Sequence, residues 1–142
     1  MSDQCVFCGI VNGVVPNTKV AEDDATYAFM DINPASDGHL LVIPKRHSTD
    51  LLEIPADDLT AVTLSAQRIA KAVVEELGAD GVNLLNCCGA DAWQTVFHFH
   101  IHVIPRYRDK TKDRLGLPWK PGVPGDAETI STIGGRLSSV LS

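Results

Sequence analysis

Long hydrophobic runs are missing from this 142-residue chain. Its apolar stretches are of the size of Leu40-Leu41-Val42-Ile43, far short of the ~18 residues that span a bilayer, so no membrane partner is expected. A basic excess is missing too: Lys and Arg total 12 against 18 Asp and Glu, a net charge of −6. That balance argues against a broad nucleic-acid surface. It leaves room for a local phosphate site, because net charge does not say where charges sit. The first residues, Met1-Ser2-Asp3-Gln4, carry neither a basic n-region nor an apolar h-region, and the expected location is cytoplasmic. Cysteines number four, expected as thiols rather than as a disulfide framework. Cys5 and Cys8 form C-x-x-C, whereas the adjacent Cys87 and Cys88 would bridge only with strain and read as small buried residues. No internal repeat or low-complexity tract is present. What is there, 44% hydrophobic and 21% charged residues, describes one globular domain with a real core.

Periodicity divides the chain. Cys5 to Val11, ahead of Asn12-Gly13, suits one or two helical turns. Residues 19–22 and 26–30 flank Asp23-Asp24 as a hairpin, and 39–43 read as a buried strand closed by Pro44. From Asp57 to Leu77 the apolar residues Leu59, Val62, Ala66, Ile69, Ala70, Val73 and Leu77 recur at three- and four-residue steps. This is one stripe of a long amphipathic helix, with Asp57 and Asp58 at its positive end and Gly78 as its stop. Two further β runs follow, 81–86 and 96–104, then an irregular Lys, Gly and Pro-rich stretch, then a C-terminal helix over 126–141 interrupted by Gly134-Gly135. Four or five strands, short turns and one long helix predict an antiparallel α+β domain rather than a doubly wound parallel sheet.

Five histidines are present, and His98, His100 and His102 fall at strict period two within Val96–Ile104. On a strand their rings share one face, about 7 Å apart, while Phe97, Phe99, Ile101 and Val103 take the other and pack on the long helix. Imidazole needs polar partners when buried, so three in register on an apolar strand point to a functional site. Two chemistries compete. Histidines at i and i+2 can share a metal ion, although His98 and His102, about 14 Å apart, cannot both reach one. Alternatively a neutral imidazole, oriented through its other nitrogen, attacks phosphorus and becomes a covalent intermediate. The central ring, His100, is then the nucleophile.

The run His98-Phe99-His100-Ile101-His102-Val103-Ile104 resembles the H-φ-H-φ-H-φ-φ signature of the histidine-triad (HIT) family of nucleotide hydrolases and transferases. Cys5-Val6-Phe7-Cys8 is similar to that family's opening segment, and Phe29–Pro34 to its nucleoside-pocket stretch. Gly38–His47 is similar to its G-H-x-L-V-x-P-K-x-H element, and Gln94-Thr95-Val96-Phe97 to the run before the triad. The matches cover residues 5 to about 108 in order.

The resemblance implies a five-stranded antiparallel sheet with one long helix and short terminal helices, a catalytic domain over 1–108, and an extension over 109–142 packed on it. It implies a homodimer and hydrolysis at the α-phosphate of nucleoside phosphoramidates, adenylates or dinucleoside polyphosphates, with a purine, preferably adenosine, as nucleoside. His100 would be the nucleophile. His98, His102 and a fourth histidine, His39, would hold the reacting groups. Gln94 and Thr95 would bond phosphate oxygens, Asp31 the ribose hydroxyls, and Phe7, Ile10, Phe29 and Ile32 the base. Asn86 resembles an Asn near the phosphate, with Cys87 a second candidate for that position. In the bacterial branch a structural zinc is held by positions matching Cys5, Cys8, His47 and His98.

Other readings stay open beside it. Phe7, Ile10, Phe29 and Ile32 also suit a plain core, Asp31 a turn, and the C-x-x-C a redox pair. Trp93, Met30 and the stretch 117–121 depart from the family pattern where its members differ in substrate. Arg106 and Arg108 suit either polyphosphate or solvent. A non-catalytic nucleotide-binding module and a nucleotidyltransferase are the alternative functions. A histidine at 102, where the transferase branch carries glutamine, favours hydrolysis.

Overall fold

Strands buried on both faces at its centre carry the chain through an antiparallel sheet in the computed structural model, which describes residues 4–116 and 119–142. Helix α1 (Val6–Val11) is followed by β1 (Lys19–Glu22), β2 (Thr26–Met30), β3 (Leu40–Pro44), helix α2 (Ala56–Leu77), β4 (Gly81–Leu85), β5 (Ile101–Arg106) and helix α3 (Ala127–Leu141). The five strands lie in the order β1-β2-β3-β5-β4, and every pair is antiparallel.

Alternation splits the core in two. Ala28, Leu40, Val42, Ile101 and Val103 face α2 and meet Val62, Ala66, Ile69 and Val73, residues of the stripe the sequence predicts. Helix α2 stops at Gly78, whose φ of 67° is the left-handed conformation glycine adopts without steric cost. The opposite side chains, Tyr27, Phe29, Leu41 and Ile43, join Phe7 and Ile10 of α1 in a second cluster. His102 pairs with Leu41 across β3 and so emerges on this second face.

Two expectations need correction. The strand expected over 96–104 begins only at Ile101. Upstream, the Phe99 N–H bonds the Ser48 carbonyl at 2.7 Å, so residues 96–100 are held by the loop after β3 rather than by a ladder. Phe97 is consequently left 48% exposed instead of packing on α2. The extension, expected to pack on the domain, does so only at its beginning. Asp113 is buried and bridges Ser36, whereas residues 119–142 are all exposed and α3, which runs unbroken through Gly134-Gly135, buries none of its side chains. The stretch 117–121, which departs from the family pattern, lies partly outside the described residues, at Leu117 and Pro118.

Candidate active site

Each triad ring has a distinct environment, and backbone partners fix where its proton sits. The Nδ1–H of His100 donates to the His98 carbonyl at 2.8 Å. A neutral ring carries one proton, so Nε2 of His100 keeps a free lone pair. Burial holds the pKa of this ring below the ordinary imidazole value, against the opposing pull of the His98 carbonyl and the Asp31 charge. Phe7 braces it edge-on, with ring centres 5.2 Å apart, and His102 lies 5.0 Å away.

His102 is oriented by His39 and, through it, by backbone. The Ala35 N–H donates to His39 Nδ1 at 2.9 Å, which leaves the His39 proton on Nε2. That atom lies 2.9 Å from His102 Nδ1 and donates to it, which places the His102 proton on Nε2. Burial, followed by the neighbouring His100 and His39, pushes His102 down to about 4, and burial also lowers His39. Asp31 Oδ2 stands 3.5 Å from His39 and 4.0 Å from His102. Its Oδ1 caps a turn by accepting from the Asn33 N–H at 2.7 Å.

His98 belongs to another cluster. Its Nε2–H donates to the Pro44 carbonyl at 2.8 Å, so Nδ1 carries the lone pair. That lone pair faces Cys5 Sγ at 3.4 Å, Cys8 Sγ at 3.5 Å and His47 Nδ1 at 3.2 Å. The four ligand atoms lie within 4.8 Å of one another. Two thiols and two imidazoles converging through their lone pairs fit a closed tetrahedral zinc site. Without a cation, burial and the adjacent Cys5 push the Cys8 thiol up to about 11. All four cysteines are free thiols; Cys87 is buried as expected, whereas Cys88 is only partly buried.

The pocket residues divide. Ile10, Phe29, Asp31 and Ile32 line a cavity of about 140 Å³ together with Met30 and Val15. Ile32 is 88% exposed and forms its rim, whereas Phe7 lies beneath, edge-on to Phe29, His98 and His100. A larger apolar groove of about 670 Å³ runs along α2, bordered by Met30, Leu40, Ile69 and Val73, and no histidine lines it.

Gln94 is held by protein partners in this structure. It is 4% exposed, accepts from the Gly89 N–H at 2.8 Å, and donates to the carbonyls of Thr49 at 2.8 Å and Val96 at 3.1 Å. Its amide is committed to protein partners, while the neighbouring Thr95 is exposed. Asn86 donates to the His100 carbonyl at 2.9 Å, and its buried Oδ1 has no partner. Arg106 is also committed, to Asp113 at 2.8 Å, Asn83 at 2.8 Å and the Leu115 carbonyl at 2.8 Å, and Arg108 pairs with Asp80. The partners that sequence reasoning misses are mostly backbone groups of Ala35, Pro44 and Ser48, for which a one-dimensional pattern holds no signal.

Known proteins share this architecture. The family model described as HIT domain matches residues 12–109. A crystal structure of a HIT family protein from Bacillus anthracis superposes with a TM-score of 0.87 at 36% identity, covering 100% of both chains. A Zn-bound histidine triad family protein from Mycobacterium smegmatis gives a TM-score of 0.76 at 38% identity over 99% of both chains. Adenylylsulfatase HINT3 of Arabidopsis thaliana is 43% identical over 106 residues, 75% of this chain and 54% of that protein.

Proposed function

This chain belongs to the HIT family, and from that premise we propose that it hydrolyses nucleoside phosphates at the α-phosphorus through a nucleotidyl intermediate on His100. The bond from His100 Nδ1–H to the His98 carbonyl carries this reading. It holds the ring in one tautomer with Nε2 unprotonated, and burial keeps the ring neutral. Those are the requirements of an imidazole nucleophile.

In the first step the His100 Nε2 lone pair forms a bond to phosphorus, and the leaving group departs with the electron pair of its own bond. The Nε2–H of His102, set by the Ala35–His39 relay, donates to the departing atom or to the phosphoryl oxygens, where charge develops. Water then attacks the same phosphorus and releases nucleoside monophosphate and the neutral ring. The two protons of that water end on the leaving group and on the phosphate. The name of the Arabidopsis relative, an adenylylsulfatase, supports an adenylyl donor as substrate class.

The cavity beside Phe29 suits a purine, adenine by preference, with Asp31 accepting from the ribose hydroxyls. Asn86 and the exposed Thr95 stand toward the phosphate end, and Gln94 acts through the loops it ties. Zinc is the cofactor of this reading, held by Cys5, Cys8, His47 and His98 and supported by the Zn-bound relative. Its part is structural, joining α1 to the segment that ends in the nucleophile. A homodimer is the expected assembly, supported by the exposed Leu84 and Leu85 on β4, the outer strand of the sheet.

The test is His100→Ala with adenosine 5′-phosphoramidate. The variant is expected to lose turnover by roughly 10⁴-fold while still binding AMP. Turnover at the wild-type rate would exclude the mechanism.

A further inference from the structure

Aromatic rings make up 6% of this chain, and most of them are used in the core. Phe7, Tyr27, Phe29, Phe99 and Tyr107 are all buried. Two of the rest sit in water within five residues of each other, immediately before the triad: Trp93 at 68% exposure and Phe97 at 48%. Large exposed aromatics a few residues from a reacting group are uncommon without a ligand to cover them.

Trp93 also has an unusual backbone. At φ 73° and ψ 19° it adopts the left-handed conformation, and among the described residues it is the one non-glycine with positive φ. A bulky side chain there is strained, and such strain persists where the surrounding structure enforces it. The enforcement is visible. A 3₁₀ turn over Ala90–Ala92 ends with the Trp93 N–H on the Ala90 carbonyl at 3.0 Å. Gly89 is then tied to Gln94 by a backbone bond of 3.1 Å and a side-chain bond of 2.8 Å. Glycine would satisfy the same bonds at no steric cost, so the retained indole requires a reason outside the fold.

Register across the sheet shows where that indole stands relative to substrate. Phe29 pairs with Leu41, Leu41 with His102, and His102 with Leu85. These four positions form one row on the second face, running from the nucleoside cavity on β2 to the outer strand β4. Adjacent strands are about 4.8 Å apart, so the triad lies about 10 Å from the nucleoside strand. A substrate with its base at Phe29 and its α-phosphorus over β5 must send its leaving group across β4. Residues 86–93 follow Leu85, and the first of them, Asn86, donates to the His100 carbonyl at 2.9 Å, so this segment leaves the sheet beside the triad.

The geometry points to Trp93, with Phe97 four residues further on, as a stacking subsite for a leaving group that carries a planar aromatic ring, such as a second nucleotide or an arylalkyl amine. Indole offers a broad π-face, and stacking on it discriminates by shape rather than by hydrogen-bond pattern. This inference rests on the hydrolase reading above.

The experiment compares two adenosine 5′-phosphoramidates, one releasing ammonia and one releasing tryptamine, in wild type, Trp93→Gly and Trp93→Phe. The ratio of kcat/KM for tryptamine over ammonia is expected to fall about ten-fold in Trp93→Gly and to stay within two- to three-fold of wild type in Trp93→Phe, which keeps a ring. Because glycine relaxes the backbone, Trp93→Gly is expected to unfold at a temperature no lower than wild type. An unchanged ratio in Trp93→Gly overturns the subsite, and so does an equal fall in Trp93→Phe. If wild type turns over neither compound, the hydrolase reading itself fails and the subsite with it. In a His100→Ala, Trp119→Phe background, where Trp93 is the remaining tryptophan, the corresponding phenethylamine compound, which does not emit in the indole range, is expected to change its emission and AMP to leave it unchanged. Equal responses to the two ligands count against stacking.

Discussion

Replacing Gln94 by alanine separates two roles for this residue, phosphate ligand and internal clamp. The clamp predicts a large stability loss. Three neutral bonds of 2.8 to 3.1 Å disappear, and at about 1 kcal/mol each the cost is about 3 kcal/mol before any cavity is counted. With an unfolding entropy near 2.1 cal/mol/K per residue, 142 residues convert that into a fall in Tm of roughly 10 °C. Gln94→Glu is a sharper probe. Its carboxylate can still accept from Gly89, but it has no proton for the carbonyls of Thr49 and Val96 and is repelled by them. Burial against two carbonyls raises the folded-state pKa of this new carboxyl above its unfolded value. The stabilising, protonated form is therefore fully present below the unfolded pKa and lost as pH rises through the folded one. Gln94→Glu should thus approach wild type near pH 4 and fall behind it at pH 7, by thermal circular dichroism at both values. A Gln94→Ala protein that unfolds within 2 °C of wild type but loses turnover would refute the clamp and return Gln94 to the phosphate.

Asp113 makes a second case. Burial alone would raise its pKa, but the Arg106 guanidinium and the N–H groups of Tyr107 and Leu115 outweigh it and hold the carboxyl at about 2. A depressed folded pKa adds stability above the unfolded value near 4 and loses it as pH falls toward 2, about 2 kcal/mol in all. Asp113→Asn is expected to cost about 3 kcal/mol in urea titrations at pH 7 and less near pH 3; a pH-independent difference would contradict the ion pair. At the cysteine cluster, elemental analysis of purified protein is expected to give about one zinc per chain, lost in Cys8→Ala together with several degrees of Tm; wild type purified without zinc that does not take it up would remove the metal from the account.

Much of this arrangement is legible in the sequence because it is periodic or local. The α2 stripe, the Gly78 stop and the β1–β2 hairpin follow from spacing and turn residues. The grouping of Cys5, Cys8, His47 and His98 follows from the family pattern, and the structure brings these four together. The late start of β5 is not legible. Val96–Ile104 has the alternation of a strand throughout, and the competing acceptor, the Ser48 carbonyl, lies 51 residues from Phe99. The tautomers of His39, His98 and His100 are likewise set by backbone atoms that no side-chain pattern encodes. The exposure of α3 escapes prediction for a different reason: Ile130, Ile133 and Leu137 sit at helical spacing, and periodicity identifies an apolar face without saying what covers it.

Rapid-quench mass spectrometry of the first turnover tests the role of His100 most directly. Adenosine phosphoramidate is mixed with the protein, stopped in alkali within milliseconds, and the peptide spanning residues 98–102 is analysed. An adenylyl group on His100 that forms and decays at rates able to support kcat, and is absent from His100→Ala, is the expected result. Turnover proceeding with no histidine-bound nucleotide at any time point, or with the adduct on His98 or His102 instead, would contradict it.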